Sequence, residues 1–491
     1  MLAASEETTL LVPSAAKQGS YAGSGAASSP RSAAAAEPVE GKRWLLLLIY
    51  IWIGFNQAVV WITFSASAPE AKMLYGKERM TADTINFLLS WGQVTALVAT
   101  PPVMWLLSRG STPVYNTILL GAVFGSCGSL VRMLPTAFAF TDAAVALPIV
   151  HFGQFLNGVT GIAAKASCGS FAATWFAKAE RTSATAATFG VCAFGPAVAF
   201  VFAMSVRTAA DLNFLMYCEA ASSVMAMLCW AVMPTLPKLA PSASQQAKRD
   251  ALANAPTADI SSDSSQKPKK SVVGEWLQAC ENHSFMLIIL SGGMVFGVFQ
   301  CWSGSLANMM PICSPELPAT DFCMTEQVVQ QVAFGSNLGA AFGMTFIGVI
   351  ADRFYSRRFK TLLLQIFAVS LVLMTLFTLS MPIGIHPAMI QGNALWLTVL
   401  VAVGSMFLGS TVPLQIELGA EITYPADASV TAGLLSFLMS IGGVLVLASL
   451  SSIDSSYYSA LVTATIFGGA LMLVPVREEY KRSDFDSKAS S

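Results

Sequence analysis

The chain has 491 residues, of which 54% are apolar and only 11% charged, and its formal net charge is −1. Length alone would allow a soluble enzyme of two or three domains, but this composition excludes one. Near-zero charge without a basic face excludes a nucleic-acid binder.

A hydrocarbon core of about 30 Å takes roughly 20 apolar residues per helix, and the uncharged stretch from Trp44 to Pro69 already supplies one. Residues 1–41 come first, rich in Ala, Ser and Gly, with no apolar core of a signal peptide. They read as a disordered tail. Uncharged runs then predict helices near 44–66, 84–107, 114–134, 144–174, 184–206 and 213–234, a first six-helix bundle over 42–236. A polar stretch, 237–283, is rich in Ser, Ala, Lys and Asp and reads as a disordered linker. Six further helices are predicted near 284–310, 326–351, 361–382, 394–420, 429–451 and 457–476, a second bundle over 284–478 followed by a tail, 479–491. The stretch from Thr361 to Ile416 lacks any Asp, Glu, Lys or Arg; Pro382, Gly384, Pro387, Gly392 and Asn393 divide it by a turn.

Lys and Arg gather on both termini and the even-numbered loops. The other side holds only Lys72, Lys77, Arg79, Arg132 and Arg207. Basic residues accumulate on the cytosolic face, so both termini are expected there. The fold class expected is therefore an all-α membrane protein of twelve transmembrane helices in two six-helix bundles. Asn282 heads a glycosylation sequon, which that topology places on the wrong side.

Nine cysteines show no metal-ligand spacing, and no cofactor or metal is expected. Cys313 and Cys323 share the non-cytosolic loop 311–325, where an oxidising medium favours a disulfide over two free thiols.

Between helices 8 and 9 lies Gly348-Val-Ile-Ala-Asp352-Arg353, followed by Arg357 and Arg358. It resembles the G-x-x-x-D-R loop of the major facilitator superfamily, transporters with this six-plus-six plan. By that resemblance Gly348 lets two helices approach and Asp352 accepts from a neighbouring helix N-terminus. Arg353, Arg357 and Arg358 pair with acids on the facing bundle, latching a cytosolic gate. A basic turn placed by charge alone is the alternative. The matching loop between helices 2 and 3 keeps Arg109 but lacks the acid.

More segments carry a narrower likeness: Arg43-Trp44-Leu45, Gln57 and Trp61 in helix 1, and His151, Gly153, Gln154, Asn157 and Gly158 in helix 4. Thr174-Trp175-Phe176, Glu180-Arg181, Gly297, Trp302-Ser303-Gly304, Val412-Pro413, Glu417, Glu421 and Thr423-Tyr424-Pro425 extend it. The chain is similar to the haem, choline and vitamin transporters related to the feline leukaemia virus subgroup C receptor, and within them to the lysosomal branch. The resemblance implies export of a small organic nutrient, with helices 1, 4, 7 and 10 lining a central cavity.

Ionisable groups inside spans are functional candidates. His151, Gln154 and Gly158 recur at i, i+3 and i+7 with Asn157 beside them, on one helical face that either faces the cavity or packs. Trp61 either meets substrate by stacking and cation–π attraction or anchors the helix at the interface. Choline-carrying relatives have a second aromatic where this chain has Gln300, and Trp302 points roughly 200° away from it. Trp61 with amide donors on Gln154 and Gln300 suits a hydroxylated heteroaromatic such as pyridoxine better than choline; Gln57, Asn157 and Trp302 are the other substrate-binding candidates. Choline, ethanolamine and haem stay open, as does a non-transporting receptor or scaffold.

For proton coupling the candidates are His151, which titrates near 6.5 when unperturbed, Glu417 and Lys165. Glu417 and Glu421 alternatively form gate salt bridges with Arg109, Lys178 or Arg181, with Glu180 close by. Lys165, deep in helix 4, pairs with Glu417, reaches a bound anion or snorkels. Finally, Glu6, Leu10 and Leu11 fit an acidic dileucine signal for a clathrin adaptor. About 32 flexible residues give it a reach of roughly 30 Å from the bilayer. The expected site of action is the lysosomal membrane, with the plasma membrane as alternative, and the expected state a monomer binding substrate and protons.

Overall fold

The computed structural model describes residues 41–490, apart from 139–141, 178–179, 243, 247–248, 251–271, 311–312, 314–322, 356, 385 and 450–451. Glu6, Leu10, Leu11 and Lys178, and the tail and most of the linker expected to be disordered, lie outside the described residues.

The described residues fold as helices: α1 Lys42–Ala66, α2 Ala68–Tyr75, α3 Ala82–Leu107, α4 Pro113–Ala137, α5 Ala143–Trp175, α6 Arg181–Ala203 and α7 Ala209–Ala231. After the linker come α8 Val272–Cys280, α9 His283–Met309, α10 Glu326–Phe354, α11 Phe359–Leu379, α12 Ala394–Thr423 and α13 Ala428–Ser449. The last are α14 Tyr458–Leu473 and α15 Lys481–Ser490. Among the described residues eleven helices are long and apolar enough to cross a membrane. The twelfth expected span is α14, whose 16 residues reach about 24 Å. Leu48, Val98, Phe214, Leu395 and Leu445 are each more than half exposed. So many bare apolar side chains would promote aggregation in water; here they mark the lipid-facing surface.

Local chemistry sets the helix starts. Thr81, Thr208, Asn282, Thr325 and Asn393 each accept from a backbone N–H of the first turn through their side chains, satisfying a donor the helix cannot. Thr208 and Asp211 complete a capping box. The long apolar run breaks at Leu379, turns through Gly384 at φ +57°, and restarts at the Asn393 cap.

Two segments depart from the sequence expectation. Within the linker read as disordered, Val272–Cys280 is helical and packs on α9 and α13. The C-terminal tail is also helical over Lys481–Ser490 and packs on α12. α6 lies along α10, and α13 lies along α3 and α5, so helices of the first six face helices of the last six. Cys313 and Cys323 are joined by a disulfide in the connection between α9 and α10. The end of the bundle where α1 begins is called proximal below, and the other end distal.

Candidate functional site

A central cavity opens where the two sets of helices meet, with about 1110 Å³ of empty space, its open mouth included. Gln57 and Trp61 of α1, Gln93 of α3, Lys165 of α5, Phe299 and Gln300 of α9, and Asn337 of α10 line it. The expected set was helices 1, 4, 7 and 10. Helices 1, 4 and 7 of that set, here α1, α5 and α9, do line it, together with α3, α6, α10 and α13, whereas helix 10, here α12, contributes no described residue. The Trp61 indole N–H is held by the Leu89 carbonyl at 2.8 Å. Its ring packs on Gly92, where a Cβ would come within 2.5 Å of Nε1; only glycine permits that approach. The ring is thereby fixed with one part toward the cavity, as a stacking surface requires.

Several expected site residues lie elsewhere. Trp302 is 1% exposed and packs against Phe299 and Phe377. Two residues of helix rotate it away from Gln300, so it is a core residue and not a cavity one. The polar face of α5 is largely turned to α1: Gln154 donates to the Trp61 carbonyl at 3.4 Å and Asn157 to the Gln57 carbonyl at 3.2 Å. Asn157 reaches only a small adjoining cleft. His151 lies outside the cavity, its Nδ1 accepting from Trp91 Nε1 at 2.9 Å beside Phe87. Of that expected stripe, Gly158 alone lines the cavity.

The face that does line the cavity is Gly158, Gly161, Lys165 and Cys168, again a helical spacing. Phe296, Phe299, Gln300 and Ser303 form the matching stripe on α9. Sequence reading missed Gln93, Phe296, Phe299 and Asn337, although Phe296 lies one helical turn before Gln300, and Phe296, Phe299 and Ser303 recur at i, i+3 and i+7.

The proximal end is tied by polar groups. Gly348 brings α10 against α6: a Cβ there would lie 2.8 Å from Ala186 Cβ and from Ser183 Cα. Asp352 accepts from the Ser183 N–H at 3.1 Å and its hydroxyl at 2.8 Å, in the first turn of α6, where partial positive charge gathers. Thr185 of α6 donates to Glu417 at 2.7 Å, and Ser170 of α5 donates to Asp427.

Glu417 and Glu421 take Arg482 of α15 as their ion-pair partner, at 2.6 and 3.1 Å. Of the expected partners, Arg109 and Arg181 form no ion pair with them, although the charge of Arg181 is felt by both, and Lys178 lies outside the described residues. Burial opposes the charge on Arg482, but the two carboxylates outweigh it and hold its pKa above the usual range. Arg181 pairs with Asp486 of α15 at 3.7 Å, Arg357 with Asp484 at 2.7 Å, and Glu180 with Arg43 at 3.0 Å. Arg109 lies exposed over the Trp105 ring. Arg353 lies over Phe354, and neither it nor Arg358 finds an acid among the described residues. α15 therefore spans both sets of helices, a role hidden because its ten residues look like a polar tail. At the distal end the tie is different: Ser65 of α1 donates to the Gly304 carbonyl of α9 at 3.2 Å.

A second buried ion pair was also missed. Arg132 of α4, 1% exposed, faces Glu219 of α7, 4% exposed, at 3.5 Å. Arg132 also donates to the Val60 carbonyl at 2.7 Å, and Thr63 donates to Glu219. Each charge sat in a predicted span without a partner, and pairing within the membrane was the signal that linked them.

The family model of the Major Facilitator Superfamily matches residues 46–447. A solute carrier family 49 member 4 homolog of Xenopus tropicalis is 27% identical over 469 residues, covering 91% of this chain and 94% of that protein. The Homo sapiens choline/ethanolamine transporter FLVCR2 is 24% identical over 436 residues, covering 85% and 73%. Among solved structures, the Escherichia coli fucose:proton symporter FucP superposes with a TM-score of 0.59 at 14% identity, over 88% of this chain and 99% of that one. This last likeness concerns the fold.

Proposed function

We propose that this chain, which belongs to the Major Facilitator Superfamily, is a proton-coupled secondary transporter that exports pyridoxine from the lysosome to the cytosol. Both termini then face the cytosol, and the cavity is exposed to each side in turn by rocking of the two sets of helices. One observation carries this reading: the cavity between the two sets of helices is lined by the Trp61 indole together with the amides of Gln57, Gln93, Gln300 and Asn337. An aromatic wall takes a planar ring, and amides both donate to and accept from ring hydroxyls. Coverage of most of a solute carrier family 49 member 4 homolog supports the reading as a carrier of a small solute. The dileucine signal Glu6, Leu10 and Leu11, read by a clathrin adaptor, accounts for a lysosomal address.

A second reading is favoured by the relatives named as choline/ethanolamine transporters: a small amine carried through the same cavity. A receptor or scaffold without transport has no use for a cavity with convergent amides between two sets of helices. The test is uptake of labelled pyridoxine by cells expressing Leu10→Ala/Leu11→Ala, which should bring the protein to the plasma membrane. Uptake stimulated at external pH 5 relative to 7.5 and insensitive to excess choline is expected. A surface-exposed protein with no pyridoxine uptake would end this assignment.

A further inference from the structure

We infer that the cavity selects substrates by an anionic group, such as a carboxylate, phenolate or phosphate, and that Lys165 receives it. This rests on reading the cavity as the transport site and narrows what that site accepts. Lys165 is the one charged side chain among the described lining residues. The carboxylates nearest in role are all committed elsewhere. Glu417 is held by Arg482 and Thr185, Glu219 by Arg132 and Thr63, and Asp352 by Ser183. Among the described residues nothing hydrogen-bonds or ion-pairs with the Lys165 ammonium.

A charge within a span is unfavourable unless something compensates it. Here the compensation is left to the ligand. Gln300 adds a second open position, since its buried Oε1 has no partner while the residue lines the same cavity. An acceptor without a donor and a donor without an acceptor lining one cavity suit a ligand carrying an anion and a hydroxyl or ring N–H. A permanent cation would meet repulsion from Lys165 with no acid among the described lining residues to offset it.

Equilibrium binding to the purified full chain in nanodiscs tests this with a charge ladder on one ring: 4-pyridoxate, pyridoxine and pyridoxamine. Betaine and choline form a second pair. The expected wild-type order is the acid, then the alcohol, then the amine, and betaine ahead of choline. A unit charge change a few ångströms from an ammonium is worth at least about tenfold in affinity. Lys165→Gln should compress each ladder to within about threefold, Lys165→Glu should invert it, and Lys165→Arg should preserve it and serve as the folding control. Binding of betaine over choline with no ring compound bound would end the pyridoxine assignment and uphold the role of Lys165. Pyridoxamine or choline ahead of its acid in the wild type, or a ladder unmoved in folded Lys165→Gln, overturns the inference. No binding by any of the five probes overturns both.

Discussion

Replacing Arg482 by Ala removes the counter-charge of two carboxylates whose side chains are only 3% and 6% exposed. Breaking a buried pair from one side costs about 3–5 kcal/mol, because the stranded charge is the penalty. That cost applies only while α15 is docked, since an undocked end gives Glu417 and Glu421 to water. At about 1.4 kcal/mol per tenfold, the docking equilibrium should shift by at least a hundredfold. Cys168 is the reporter: it is 1% exposed, lines the cavity and sits about two turns inside the proximal end of α5. With the other free thiols replaced, maleimide labelling of Cys168 should accelerate at least tenfold in Arg482→Ala, with a lowered Tm. Arg482→Lys keeps the charge but loses the fork that reaches both acids, and should fall between. Labelling within twofold of the parent, at an unchanged Tm, would refute the claim that α15 holds the proximal end closed.

The remaining expectations concern packing and the cavity. Arg132→Met should cost about 3–5 kcal/mol by stranding Glu219, and the double variant Arg132→Met/Glu219→Leu should recover much of it, read as Tm in a double-mutant cycle. Trp302→Ala should lose about 3–5 kcal/mol as a core truncation, while Trp302→Phe leaves substrate affinity within roughly twofold. Trp61→Ala should instead weaken binding about tenfold or more through the lost stacking surface, measured as Kd in nanodiscs. Gly190→Ala should lower Tm and transport together, by about 1–3 kcal/mol in stability. Its Cβ would come within 2.2 Å of Thr345 Oγ1 and 2.4 Å of Thr345 N across the α6–α10 contact.

The transmembrane helices and their approximate limits were legible because the bilayer imposes a length and an apolarity that any window of the chain can be checked against. Asp352 and Gly348 were legible for a related reason: a short motif carries its own geometry. The stripe on α5 was not. His151, Gln154 and Asn157 share a face, but periodicity fixes only which residues face the same way and not what they face. Trp302 and Gln300 were both expected at the substrate, although two residues of helix turn them roughly 200° apart; Gln300 reaches the cavity and Trp302 the core.

The sequence by itself determined that this protein spans a membrane many times, where its membrane helices start, and that its G-x-x-x-D-R motif, which the structure places at the end of α10, meets a neighbouring helix. Those follow from properties of single segments. Only the tertiary structure decided that Arg482 neutralises Glu417 and Glu421, that Arg132 meets Glu219, and that Lys165 faces the cavity with no acid pairing it among the described residues. Partners separated by 61 to 87 positions, as Glu421–Arg482 and Arg132–Glu219 are, meet by helix packing, and no local pattern encodes which buried charge will find which.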